Sequence, residues 1–378
     1  MSEQLQQADV INALSRVDDP EIGRPITELG MVKSVTITGN DVQVVINLTI
    51  AGCPLKSTLV SNSEAVLQEI PGIGNITVTT DVMSDEQRRE LKGKLRGQGA
   101  PEGVNPFTQP GNTTQVFAVA SGKGGVGKSS MTVNLGVALA QQGLKVGILD
   151  ADIYGHSVPQ LLGSHQDVNQ VDDMIMPPIA HGVKLISIGH FVEGNSPIVW
   201  RGPMLHRAIN QFLTDVFWGD LDVLLLDLPP GTGDVAITVA QLLPHAELLI
   251  VTTPQAAAAE VAERAGSLSL QTHQQVRGVI ENMAAMVLDD GQVIDVFGAG
   301  GGAVVAERLS TLTGQTISLL GEVPLDPQLR VGGDNGTPIV VAAPDSPAAK
   351  AITAIAKQLM HRGNSLKGQP LGLSVTNS

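Results

Sequence analysis

The stretch "VFAVASGKGGVGKSSMTVNLGVALAQQG", residues 116–143, decides the architecture. Its first residues are almost wholly apolar and too few for a helix, so they read as a strand buried on both faces. Glycines then crowd the run from Gly122 to Gly127, and a helix-forming segment follows that Gly143 closes. A glycine loop between a strand and a helix lets successive backbone N–H groups turn inward around a phosphate. Gly122, Gly127, Lys128 and Ser129 satisfy G-x-x-x-x-G-K-[ST]. In that pattern Lys128 brings positive charge to the β- and γ-phosphates and Ser129 offers a hydroxyl to Mg²⁺. The same glycines fit Gly122-x-Gly124-x-x-Gly127, a dinucleotide fingerprint with Asp150 as ribose-binding acid. A dinucleotide site, however, has no use for the Lys-Ser pair. Lys123, inside the loop, is either a solvated lysine or a charge delivered to a neighbouring subunit's nucleotide, in the manner of an arginine finger.

Working outward, apolar strands alternate with helices. "KVGILD", "VKLISI", "LDVLLLDL", "AELLIVTT", "VRGVIEN" and "ISLLGEV" read as strands, with helical patterns between most of them. This predicts an α/β fold, a doubly wound parallel sheet. Two strands end in acids at the edge where such sheets bind ligands. Asp227 heads "LDLPPGTGD", where it can hold Mg²⁺ through water, and Asp150 and Asp152 end "VGILDAD". One of the latter two orients an attacking water; Asp150 serves equally well as a turn cap.

The segment before the large domain has a different pattern. Val10, Ile11, Leu14 and Val17 fit a helix, "MVKSVTIT" and "VQVVINLTI" form a hairpin around Gly39-Asn40-Asp41, and a helix and a further strand follow. We therefore expect a small α+β domain over 1–90, a linker over 91–114, the phosphate-loop domain over 115–363 and a loose tail over 364–378.

Composition bounds the function. The net charge is −14, from 37 acidic and 23 basic residues, which argues against sequence-independent nucleic-acid binding. Aromatics make up 2%, so the core must be aliphatic. No signal peptide and no stretch able to span a bilayer is visible, so a cytoplasmic protein without membrane attachment is expected. Cys53 is the single cysteine, which excludes an intrachain disulfide and any metal site drawing two thiolates from one chain.

Beyond these readings, "KGGVGKS" resembles the deviant Walker A signature of MinD/ParA/ArsA-like ATPases, with Lys123 as signature lysine. "DADIYGHSVP", "VWRGPMLHRAINQFL", "LDVLLLDLPPGTGD" and "GVIENM" resemble the Mrp/ApbC family of ATP-dependent iron–sulfur cluster carriers and assembly factors. "DPEIGRPITELGMV" and "AGCPLK" resemble the small iron–sulfur-assembly-type domain often fused ahead of that ATPase, in which Cys53 is a position often kept as cysteine. The resemblance implies ATP and Mg²⁺ as ligands. Gly124, Gly125, Val126, Gly127, Lys128, Ser129 and Ser130 would cradle ATP, and Lys123 would reach across a nucleotide-sandwich homodimer. Asp152 would sit near the attacking water and Asp227 near Mg²⁺. Asn282 would contact adenine, with Pro324 and Asp326 closing the base pocket. The implied partners are iron–sulfur recipient or assembly proteins.

One departure stands out. After Glu281-Asn282-Met283 the family usually carries a C-x-x-C pair, so that two subunits ligate one cluster. Here Leu288 and Gly291 occupy those positions, and neither ligates iron. Asp289 and Asp290 are hard donors unsuited to such a cluster, and "LDDGQV" reads as a hairpin turn. Cys53 then remains as either a cluster or transfer thiol or a small buried residue. The competing function is an ATP-driven scaffold or switch that carries no cluster. A DNA- or membrane-positioning ATPase and a nicotinamide enzyme are more distant alternatives.

Overall fold

The computed structural model describes residues 5–50, 55–96, 103–152, 155, 157–166, 168–191, 202–231, 233–255, 258–288 and 291–360. Cys53, His156, Asp289, Asp290 and the tail from 361 lie outside them.

The amino-terminal module runs α1 (Gln7–Leu14), β1 (Val32–Thr38), β2 (Asp41–Leu48), α2 (Lys56–Gln68), β3 (Ile76–Val82) and α3 (Asp85–Arg96). Its sheet has the order β1-β2-β3, with β1 antiparallel and β3 parallel to β2. The turn falls at Gly39-Asn40, as the sequence predicts, because Thr38 pairs with Asp41. Alternation on β2 puts Val42, Val44 and Ile46 into a core with Val10, Leu14, Leu59 and Leu67.

The large domain continues with β4 (Gln115–Ala120), α4 (Lys128–Gln141), β5 (Val146–Asp150), α5 (Val158–Leu162), β6 (Asn169–Val171), β7 (Met174–Met176), β8 (Ile179–Ala180), β9 (Val183–Ser187), α6 (Gly202–Thr214), β10 (Val223–Asp227) and α7 (Asp234–Leu242). Then come β11 (Glu247–Thr252), α8 (Ala258–Thr272), β12 (Val276–Ala284), β13 (Met286–Val287), β14 (Val293–Ile294), α9 (Gly301–Thr313), β15 (Leu319–Pro324), α10 (Pro327–Asp334), α11 (Ile339–Ala342) and α12 (Pro347–Met360). The main sheet has the order β15-β12-β11-β4-β10-β5-β9-β8. It is parallel except for the edge strand β8, which pairs antiparallel with β9. The central strands β4, β5, β10 and β11 are buried along almost their whole length, which is why they read as unbroken apolar runs. Two aliphatic cores, one on each face, complete the doubly wound fold. No helix among the described residues is long and apolar enough to cross a membrane.

The stretch 91–114 divides its loyalties. Leu91 and Leu95 pack in the small module's core, whereas Phe107 is buried in the large one and Asn105 donates to the Leu242 carbonyl. The two modules also share a core. Val171, Met174 and Met176, on the β6–β7 hairpin, are buried together with the small module's apolar residues, and Phe217 joins them. Each such burial contributes about 1.5–3 kcal/mol. Polar ties flank the seam: Asn169 donates to Glu21 at 2.9 Å, and Lys92 pairs with Asp172 and Asp173.

Candidate nucleotide site

The glycine loop, Asp150, Asp227 and Asn282 lie at the carboxyl edge of the large sheet. β4 runs straight into the glycine loop, and α4 begins at Lys128 with Gly127 as its cap residue. Gly122 is clamped from behind: a Cβ there would lie 2.7 Å from the Val261 Cα, and its carbonyl accepts from Arg264 at 2.8 Å. Pro230, from the turn after β10, lies against Gly124, and the Gly231 N–H donates to the Ser121 carbonyl.

Asp227 is the hub. It is fully buried, and its Oδ2 accepts from Lys128 Nζ at 2.7 Å and from Ser129 Oγ at 2.6 Å. Its Oδ1 accepts from Thr132 Oγ1 at 2.7 Å. Lys128 is itself only 6% exposed, so a buried cation and a buried anion neutralise each other while hydroxyls satisfy the remaining lone pairs. Thr132 carries no motif signal. It lies one helical turn beyond Lys128, and this i, i+4 spacing on the inner face was the one clue available.

Asp150 lies level with Asp227 on the adjacent strand. It too is fully buried, accepting from Ser187 Oγ at 2.9 Å and from the Asp152 N–H at 3.1 Å. Burial, reinforced by the Asp227 charge, pushes its carboxyl up to about 8. A carboxylate raised on folding keeps a proton that the unfolded chain releases. Stability is therefore fully present below the ordinary value of 3.8 and falls as pH rises toward 8. In nucleotide-free protein, Asp150→Asn keeps the acceptor and removes the titration. Its melting temperature should exceed wild type by roughly 5 °C at pH 8, and the gap should narrow as pH falls toward 5. Melts at both pH values check this, and parallel wild-type and variant profiles would contradict it.

The Asp152 Oδ1 accepts from the Gly155 N–H at 3.0 Å. Lys123 Nζ is held within its own subunit by Gln255 Oε1 at 2.5 Å, a partner no sequence motif indicates. Asn282, at the end of β12, is buried and donates through Nδ2 to the Val126 carbonyl at 2.9 Å. Its Oδ1 is buried without a partner among the described residues. Pro324 pairs beside Ala284, and Asp326 caps α10 by accepting from the Gln328 N–H. Val126 is buried, Gly124 and Gly125 are exposed, and the Ser130 carbonyl accepts from Asn134. Thus the loop residues, Lys128, Ser129, Asp227 and Asn282 are drawn into direct contact, while Lys123, Asp152, Pro324 and Asp326 make their bonds around them.

The segment after Met283 forms a tight hairpin. Met286 pairs with Ile294 and Val287 with Val293, and Leu288 and Gly291 close the turn through backbone bonds of 2.9 Å. Among the described residues, no His, Cys, Asp and Glu side chains gather in a group able to hold a metal.

A parallel sheet whose first strand feeds a glycine loop, with the loop's lysine and serine bound to a strand-end aspartate, defines a P-loop NTPase. Residues 112–360 match the family described as NUBPL iron-transfer P-loop NTPase, and residues 7–79 match the one described as iron-sulfur cluster assembly protein. The chain belongs to that iron-transfer P-loop NTPase family. It is 59% identical over 371 residues to an iron-sulfur cluster carrier protein of Mycobacterium tuberculosis, covering 98% of this chain and 97% of that one. It is 40% identical over 357 residues to the protein of the same name in Synechocystis, covering 93% and 96%. Among solved structures, it is similar to a nucleotide-binding protein from Archaeoglobus fulgidus in complex with ADP. That likeness has 35% identity and a TM-score of 0.51, and covers 67% of this chain and 91% of that one.

Proposed function

We propose that this protein is an ATP-binding and ATP-hydrolysing iron–sulfur cluster carrier or assembly factor that works in the cytoplasm as a nucleotide-gated homodimer. The observation that carries the ATPase reading is the hub of Lys128, Ser129 and Thr132 on Asp227. ATP entering the loop would draw Lys128 Nζ onto its β- and γ-phosphates, helped by the backbone N–H groups from Gly122 to Ser130. Ser129 and Asp227 offer hard oxygen donors 2.6 Å apart, the chemistry Mg²⁺ selects, and the Asp152 carboxylate is a further oxygen donor for that ion. When bound, that ion would neutralise phosphate charge. Asp152 orients the attacking water. Lys123, released from Gln255, reaches the nucleotide of the other subunit. The free Oδ1 of Asn282 supports a contact to the adenine amine, with Pro324 and Asp326 shaping the base pocket. The residues 1–90 form the assembly-type module and 115–363 the ATPase. The partners are iron–sulfur recipient or assembly proteins, and neither nucleic acid nor membrane is a partner.

One observation favours a second reading, an ATP-driven scaffold that carries no cluster itself. The hairpin around Leu288 and Gly291 is closed by its own backbone bonds and offers no thiolate. Cys53 is the chain's one thiolate, so a cluster carried by this chain would use it together with ligands from a partner or a small thiol. Anaerobic reconstitution with iron and sulfide, with both counted per chain in wild type and Cys53→Ser, separates the two. The carrier reading expects a stable cluster that the variant loses. No cluster in either protein leaves the scaffold, or a carrier that holds its cluster only with a partner.

A further inference from the structure

At the edge of the large sheet opposite the glycine loop, a cleft of about 660 Å³ lies between the two modules. Lys145 leads into β5 and Lys184 sits near the start of β9, at the far ends of the strands that carry Asp150 and Ser187. Arg24 and Lys94 enter the same cleft from the small module. Four cations therefore face one volume, against two lining acids, Glu21 and Asp220. This is a local surplus of positive charge on a chain whose formal charge is −14.

The pairing of these cations is equally uneven. Elsewhere, among the described residues, Arg16, Lys33, Arg88, Lys92, Lys128, Arg264, Arg308, Arg330 and Lys350 are in ion pairs. Among the described residues, Arg24, Lys94 and Lys145 have no acidic partner within salt-bridge distance. Lys184 is anchored as a donor. Its Nζ donates to the carbonyls of Trp218 at 3.0 Å and Phe217 at 3.4 Å, and it lies 4.6 Å from the Phe217 ring centroid. Burial, and then the Lys145 charge, pull its ammonium down to about 8. Burial also pushes the Glu21 carboxyl up, and its Oε1 already accepts from Asn169. A bound anion would reverse the strain on Lys184 and supply the charge that the other three cations lack.

The shared core at the β6–β7 hairpin fixes the two walls relative to each other, so the cleft is a built concavity. Its volume suits a small molecule. We propose that it binds a small polyanion, a molecule with two or more phosphate or carboxylate groups, gripped by Arg24 and Lys94 from one module and Lys145 and Lys184 from the other. Such a ligand would fasten the assembly-type module to the ATPase from the side remote from the nucleotide. This goes beyond the function proposed above and does not depend on it.

The test is calorimetry on the full chain, with the glycine loop filled by saturating ADP. The probes are glucose 1,6-bisphosphate for phosphates and tricarballylate for carboxylates. Wild type should bind at least one of them at a single ADP-insensitive site. Lys94→Ala/Lys145→Ala, which removes one exposed cation from each wall, should bind about tenfold or more weakly, as expected for losing charge-assisted hydrogen bonds. Its melting temperature and ADP affinity should match wild type. Ligand should also slow amide exchange at residues 20–24 and 179–184. The proposal fails if neither probe binds ADP-saturated wild type at millimolar concentration, or if the double variant binds as well as wild type. Binding that ADP abolishes would assign the probe to the glycine loop and would equally overturn it.

Discussion

Lys128→Ala is expected to leave less than about 1% of wild-type ATP turnover, a loss of at least ~2.7 kcal/mol of transition-state stabilisation. Lys128 is the loop lysine that brings full positive charge to its own subunit's phosphate site, and neither Ser129 nor Thr132 can replace it. The substitution has a second consequence. Lys128 neutralises Asp227, which has no exposure to solvent and lies level with the equally buried Asp150. Breaking a buried pair from one side costs about 3–5 kcal/mol, so the single variant should also melt lower. Lys128→Ala/Asp227→Asn separates the two effects, because it removes both charges. It should recover much of the melting temperature and none of the turnover. Phosphate release and thermal melts on the three proteins check this. Full turnover in a clean, folded Lys128→Ala preparation would sink the assignment of the loop.

Much of this site was legible because its parts follow rules of local chemistry. The glycines, Lys128 and Ser129 announce a phosphate loop, and unbroken apolar runs ending in Asp150 and Asp227 announce buried parallel strands. The hairpin after Met283 was legible too, because Asp-Gly specifies a tight turn whether or not a metal is held nearby. What the sequence left dark depends on contacts between distant segments. Gln255 holding Lys123 spans 132 residues and Asn282 reaching Val126 spans 156, and neither has a local signature. The β6–β7 hairpin is too short to show a period. Its Met and Val residues look like ordinary core, and only the tertiary structure shows that the core they fill belongs to the other module. Asp150 illustrates the remaining limit. Its position was plain, but its choice between cap and active acid turns on burial beside Asp227, which no spacing encodes.

The contact between Asn282 and the loop yields the other large effect, at Gly127. Its φ is +81°, and a Cβ there would fall 2.3 Å from Asn282 Nδ2. That amide cannot simply retreat, because it is buried and donates to the Val126 carbonyl. Gly127→Ala therefore meets two penalties. One is the left-handed backbone, about 1–2 kcal/mol for a residue with a side chain. The other is displacement of the loop or of Asn282. Gly125 provides the control: its φ is +79°, and a Cβ there meets nothing within 4 Å. Gly125→Ala should weaken ADP binding by about tenfold, from backbone strain alone. Gly127→Ala should weaken it by at least about a hundredfold, since the N–H groups that cradle the phosphates must move with the loop. Gly127→Ala/Asn282→Ala removes the clash but keeps the strained backbone and loses both the bond to Val126 and the proposed contact to the base. It should bind ADP better than Gly127→Ala and no better than Gly125→Ala. Calorimetric titration of ADP into the four proteins reads the order directly. Equal affinities for the two single variants would mean that the amide yields freely, and that Asn282 does not hold the loop in shape. The predicted order would instead mean that Asn282, donating through Nδ2 to the Val126 carbonyl, holds the phosphate loop in shape.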